Sequence, residues 1–97
     1  MKWSDILFRT HGCYTGGVQA LVKFDNGEWC SIIGSPYIEG KGGCYGNGVT
    51  SFEIMSSSTE KTRAGVKGYL SKRQVINHLR YLKNKKFKPC QHAPEVA

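Results

Sequence analysis

Residues 18–33 constrain the fold more than any other stretch. Val18, Ala20, Val22 and Phe24 alternate with Gln19, Leu21, Lys23 and Asp25, the period-two pattern of a strand with one buried face. Asn26-Gly27 comes next, a dipeptide that tolerates positive φ at both centres of a type I′ turn. Glu28-Trp29-Cys30-Ser31-Ile32-Ile33 then reads as the return strand. A two-residue loop fixes the register and predicts the pairs Asp25–Glu28, Phe24–Trp29, Val22–Ser31 and Ala20–Ile33. The two aromatics would then face one another on the apolar side.

A chain with this hairpin and twelve glycines in 97 residues is expected to continue as turns and strands rather than as a helical bundle. Residues 49–55 read as a third strand with Phe52 and Ile54 facing in. Residues 66–70 read as a fourth, where Lys67 and Gly68 suit an edge. Ser71-Lys72-Arg73-Gln74 matches a helix capping box, and Leu70 is placed to staple to Val75. Val75, Ile76, Leu79 and Leu82 form a single apolar helical stripe. In residues 3–10 Ser4 is a candidate N-cap, and a helical turn or a strand both fit. The expected fold is α+β: a small antiparallel meander of three to four strands packed against one C-terminal amphipathic helix. Residues 1–89 form the domain, and 90–97 read as a flexible tail.

Charge is unevenly distributed along this framework. Lys61, Arg63, Lys67, Lys72, Arg73, Arg80, Lys83, Lys85, Lys86 and Lys88 fall in a segment without a single Asp or Glu. The net +7 is therefore a +10 segment joined to a −3 body. A basic cluster of this kind points to a polyanionic partner. Lys83, Lys85 and Lys86 have a structural explanation, because cations favour a helix C-terminus. Arg63, Lys67, Lys72, Arg73 and Arg80, beside Asn77 and Tyr81, do not. With Lys83 they are the candidate polyanion-binding residues: Lys and Arg neutralise phosphates, Tyr stacks on bases and Asn reads a base edge.

Residues 34–48 form a long loop with six glycines (Gly34, Gly40, Gly42, Gly43, Gly46, Gly48). Lys41 is followed by Gly42, so the loop is no Walker A motif, and the strand expected after it excludes a dinucleotide fingerprint. The plainest reading is a hairpin connection with Tyr37 and Tyr45 tucked against the sheet. The functional one is a protein-interaction loop using Tyr37, Lys41 and Tyr45, since Tyr is a favoured interface anchor.

Other chemistry is poorly supported. His11-x-Cys13 and Cys90-x-His92 make a mirrored pair of two-ligand clusters, but their one-residue gaps are tighter than structural zinc sites use. Neither the cysteines nor the histidines sit in a nucleophile context, and the carboxylates form no acid–base pair. No catalysis, metal or cofactor is expected. Met1-Lys2-Trp3-Ser4-Asp5 leads into no apolar h-region, and no run reaches the ~18–20 apolar residues that span a bilayer. A cytoplasmic protein with reduced thiols and no membrane partner is expected. The expected function is non-catalytic binding of nucleic acid or a ribonucleoprotein through the basic helix face. The alternative is a protein-directed inhibitor or adaptor of the phage or mobile-element type, acting on a larger host protein in host takeover or defence evasion. A homodimer through the edge strand is a further expectation.

Overall fold

The structure is a computed structural model that describes residues 1–12, 16–36 and 44–86. A 3₁₀ turn at Trp3–Asp5 opens the chain. Five strands follow: β1 (Arg9–Thr10), β2 (Val18–Lys23), β3 (Trp29–Gly34), β4 (Phe52–Ser56) and β5 (Lys67–Leu70), with a second 3₁₀ turn at Thr59–Lys61 between the last two. The helix α1 (Lys72–Lys83) ends the described part. Each strand pairs antiparallel with its neighbour in sequence, in the order β1-β2-β3-β4-β5. This is the expected α+β meander with one strand more than the sequence suggested. The extra one is β1, two residues long.

The core lies between one sheet face and α1. Ala20, Cys30, Ile32, Phe52 and Ile54 meet Val75, Leu79 and Leu82, and Ile6 closes one end. Burying one Val, Leu, Ile or Phe side chain contributes about 1.5–3 kcal/mol. Trp3 and Phe8 pack on its margin against Phe52, with ring centroids 4.8 and 5.9 Å from that residue. The helix starts as expected. Ser71 Oγ accepts from the Gln74 amide at 3.2 Å, and Gln74 Oε1 accepts from the Ser71 amide at 2.8 Å. Val75, Leu79 and Leu82 are fully buried, and Ile76 is half-buried.

The β2–β3 hairpin forms, but its register is one residue away from the expected one. Val22 pairs with Cys30, Ala20 with Ile32 and Val18 with Gly34. The Phe24 amide donates to Glu28 O at 2.9 Å and the Gly27 amide to Phe24 O at 3.1 Å, with Gly27 at φ +87°. That is a three-residue loop: a type I turn followed by a left-handed glycine. A one-residue slip exchanges the faces of a strand. Cys30 and Ile32 therefore point into the core, while Trp29 pairs with Lys23 and not with Phe24.

The cause is tertiary. The buried Asn26 spends its amide on the end of α1, where Nδ2 donates to Leu82 O at 2.8 Å and to Lys85 O at 2.9 Å, with Lys83 O at 3.4 Å. Its Oδ1 accepts from the Glu28 amide at 3.0 Å. The turn thus adds a side-chain donor to the carbonyls at the end of a helix 56 to 59 residues away in sequence. Beside it, the buried Glu28 carboxylate accepts from Ser57 Oγ at 2.6 Å and lies 3.8 Å from Lys85 Nζ.

The loop leaving β3 returns against it so closely that a Cβ on Gly34 would overlap the backbone of Gly48. Asn47 then organises the approach to β4. Its Oδ1 accepts from the amides of Val49, Thr50 and Ser51 at 2.7, 2.8 and 3.1 Å. The outer sheet edge, β5, carries a bulge opposite residues 52–54. Tyr69 there stands at φ +57°. A bulge and the exposed Lys67 are devices that blunt an edge strand against pairing.

Candidate nucleic-acid interface

The helix sorts its polar residues onto two flanks, because successive residues rotate by about 100° around its axis. On one flank Lys72, Arg73, Asn77 and Arg80 line a groove of about 360 Å³ together with Met1, Lys2, Trp3 and Ile76. No acidic residue is among its described lining. Lys2 is held there by the 3₁₀ turn, whose Asp5 carboxylate accepts the Lys2 amide at 2.8 Å. Lys72 Nζ lies 5.5 Å from the Trp3 ring centroid, within the range of a cation–π contact.

Lys72 and Arg73 occupy the first turn of α1, and no acidic residue accompanies them. The helix macrodipole is positive at that end and disfavours cations by a few tenths of a kcal/mol each. Their charges add to the positive end of the dipole at the start of α1.

The second flank gathers a different set. His78 is half-buried, with its ring 6.0 Å from that of Tyr81, and Lys85 Nζ sits 5.2 Å from the Tyr81 centroid. Burial first, then the positive charges of Lys67 and Lys85, push the His78 pKa below its ordinary value. The structure therefore brings together Lys72, Arg73, Asn77 and Arg80 of the expected polyanion-binding residues. It places Lys67 and Tyr81 on the opposite flank. Arg63, in the connection between β4 and β5, and Lys83, at the helix end, are exposed and line neither side of the groove. Lys2 and Trp3 were not singled out from sequence; the adjacency of a cation and an aromatic at positions 2 and 3 was the available signal.

A second concavity adjoins the groove. Trp3, Phe8, Val18, Phe52 and Lys72 line a pocket of about 290 Å³ whose rim is Gly48 and Val49, the residues positioned by the Asn47 turn. Trp3 and Lys72 belong to both cavities.

Of the expected protein-interaction loop, Tyr37 and Lys41 lie outside the described residues. Tyr45 packs against the β5 edge of the sheet, so closely that a Cβ on Gly68 would overlap its Cβ. It stands 57% exposed, with its ring 5.8 Å from that of Tyr69. Its amide donates to Glu53 Oε1 at 2.8 Å, and its carbonyl accepts from the Tyr69 amide at 2.7 Å.

Ser56 and His78 have the look of a nucleophile and its base, with Oγ 2.9 Å from Nε2. Ser56 is fully buried, and its Oγ already accepts the amides of Ser58 and Thr59 at 3.2 and 3.1 Å. The hydrogen-bonded pair ties the end of β4 to α1. The Cys30 thiol, fully buried, is pushed up to about 12 by burial. Burial, then the Glu53 charge, also raises Cys44. Both are free thiols. No cluster of three or more metal-binding side chains occurs among the described residues, and Cys13, Cys90 and His92 lie outside them. No helix among the described residues is long and apolar enough to cross a membrane.

No protein-family model matches the chain, and comparisons with curated proteins and with solved structures return no match.

Proposed function

We propose that the protein is a small, non-catalytic binder of polyanions, namely nucleic acid or a ribonucleoprotein. It acts in the cytoplasm through the groove between α1 and the N-terminal turn. The observation that carries this reading is the pair Lys72 and Arg73 in the first turn of α1. That position disfavours cations in the free protein, and an anion across the groove removes the penalty. Lys2 and Arg80 extend the same charge along the groove, and Asn77 adds a hydrogen-bonding amide.

The test is fluorescence anisotropy of a labelled oligonucleotide as a function of salt. Four cations meeting four phosphates give a log–log slope of about −2.8 on a single strand, or about a 50-fold loss of affinity between 50 and 200 mM salt. Replacing Lys72, Arg73 and Arg80 together by Ala is expected to abolish binding and leave the circular dichroism spectrum unchanged. A salt-independent affinity that survives the triple replacement refutes the reading.

One observation favours a second reading, the protein-directed inhibitor or adaptor. Tyr45 and Tyr69 form an exposed pair on a backbone with an unfavourable φ at Tyr69, and such outliers gather at functional sites. Partner capture that is lost in a Tyr45→Ala, Tyr69→Ala double variant but kept in the triple groove variant supports it over the first.

A further inference from the structure

The basic groove and the aromatic pocket share Trp3 and Lys72, so a ligand following the groove passes directly over the pocket mouth. The pocket floor is Phe52, 2% exposed. Beside it the half-buried rings of Trp3 and Phe8 touch each other, with centroids 5.3 Å apart and tilted by 34°, so a base in the pocket lies against this ring cluster and not between the two rings. Val49 at the rim is 69% exposed, leaving the mouth accessible. A volume of about 290 Å³ is at the small end for ligand pockets and suits one planar heterocycle. A phosphate track beside a pocket for a single flat apolar group is the pairing that a nucleotide with an unstacked base requires. In a duplex the bases are paired and stacked, and none is free to enter.

We infer that the groove takes single-stranded nucleic acid, with phosphates along Lys2, Lys72, Arg73 and Arg80 and one base inserted into the pocket of Trp3, Phe8 and Phe52. This rests on the polyanion reading above and narrows it. Lys72 joins the two halves, contacting the phosphate beside the inserted base from its place over Trp3.

The test uses the full chain carrying Trp29→Phe, which leaves Trp3 as the sole tryptophan. Four 12-mer probes are titrated at one salt concentration: single-stranded DNA, RNA of the same sequence, the DNA duplex, and a DNA strand with abasic sites throughout. The single strands are expected to bind about tenfold or more tighter than the abasic strand, as base stacking on aromatic side chains implies, and to quench Trp3. The abasic strand is expected to bind without quenching. DNA and RNA arms separate the two sources of the same chemistry. Phe8→Leu, which keeps the apolar bulk and removes the ring, is expected to lower single-strand affinity about fivefold or more and leave abasic affinity unchanged. Equal affinity for single-stranded, duplex and abasic probes overturns the base pocket and leaves the groove reading standing. Tighter binding of the duplex than of the single strand does the same. Absence of binding to every probe overturns both.

Discussion

Asn26 is the residue whose replacement separates two explanations of the β2–β3 turn. If it serves the turn alone, Asp should replace it almost without cost, since Asp-Gly and Asn-Gly are both favoured turn dipeptides. In the structure its amide instead donates two short hydrogen bonds, to Leu82 O and Lys85 O at 2.8 and 2.9 Å, and its carbonyl oxygen accepts one from the Glu28 amide. Asn26→Ala removes all three bonds, leaving Leu82 O with its backbone donor from Lys85 at 3.3 Å and the Lys85 carbonyl without the Asn26 amide. At about 0.5–1.5 kcal/mol per bond, with desolvated groups left behind, the cost is about 2–4 kcal/mol. Asn26→Asp keeps the bond from Glu28 but turns a carboxylate oxygen toward three carbonyls at the negative end of the α1 dipole, adding about 1 kcal/mol or more. The expected stability order is Asn, then Ala, then Asp. Urea unfolding at pH 7, followed by tryptophan fluorescence, measures it. A domain of this size loses about 4–8 °C in Tm per kcal/mol, so thermal melts resolve the three proteins as well. An Asp variant at least as stable as the Ala variant refutes the helix-clamp explanation.

Four further outcomes are expected. The His78 pKa is lowered on folding from its ordinary 6.5, so its contribution is fully present above that pH and lost as pH falls below it, where the unfolded chain binds the proton more readily. Urea midpoints should drop between pH 7.5 and 5, and His78→Gln should flatten the profile; parallel profiles for the two proteins refute the assignment. Arg73→Glu should raise stability at low salt by about 0.5 kcal/mol through the helix dipole while weakening polyanion binding, checked by paired unfolding and anisotropy titrations. Gly46→Ala places a Cβ 2.5 Å from Phe52 Cα, with backbone N and C of Phe52 at 2.7 Å; a loss of about 1–3 kcal/mol or more is expected in a chemical melt. Cys30, fully buried with its thiol pushed up to about 12, should resist alkylation until the protein unfolds, read by peptide mass spectrometry at that residue.

What could be read in the sequence was local. Alternation over residues 18–24, the Ser71–Gln74 capping box and the Val75–Leu79–Leu82 stripe each carry their period within a few residues, and each appears in the structure. Register was not local in this sense. The choice between a two- and a three-residue loop is settled by where the Asn26 amide finds acceptors, and those lie on a helix far along the chain. The site followed the same division. Helical spacing places Lys72, Arg73, Asn77 and Arg80 on the half of α1 turned from the core, but it would equally admit Lys83, which does not line the groove. That Lys2 and Trp3 complete the groove, and that Lys67 and Tyr81 face away from it, depends on how the N-terminal turn and β5 pack around α1. The extra strand β1 is too short to show any periodicity.

The sheet order β1-β2-β3-β4-β5 has a kinetic consequence. Each strand meets the one made just before it, so most pairings close short loops, a topology associated with rapid folding. The bond from Asn26 to Leu82 instead closes a span of 56 residues, and it has nothing to grip until the helix is in place. It is expected to form late in the folding reaction, after the transition state. Removing it should therefore accelerate unfolding and leave the refolding rate nearly unchanged. One amide in a turn then sets how long the helix keeps its basic flank in position, and has little to do with how fast that flank is first assembled.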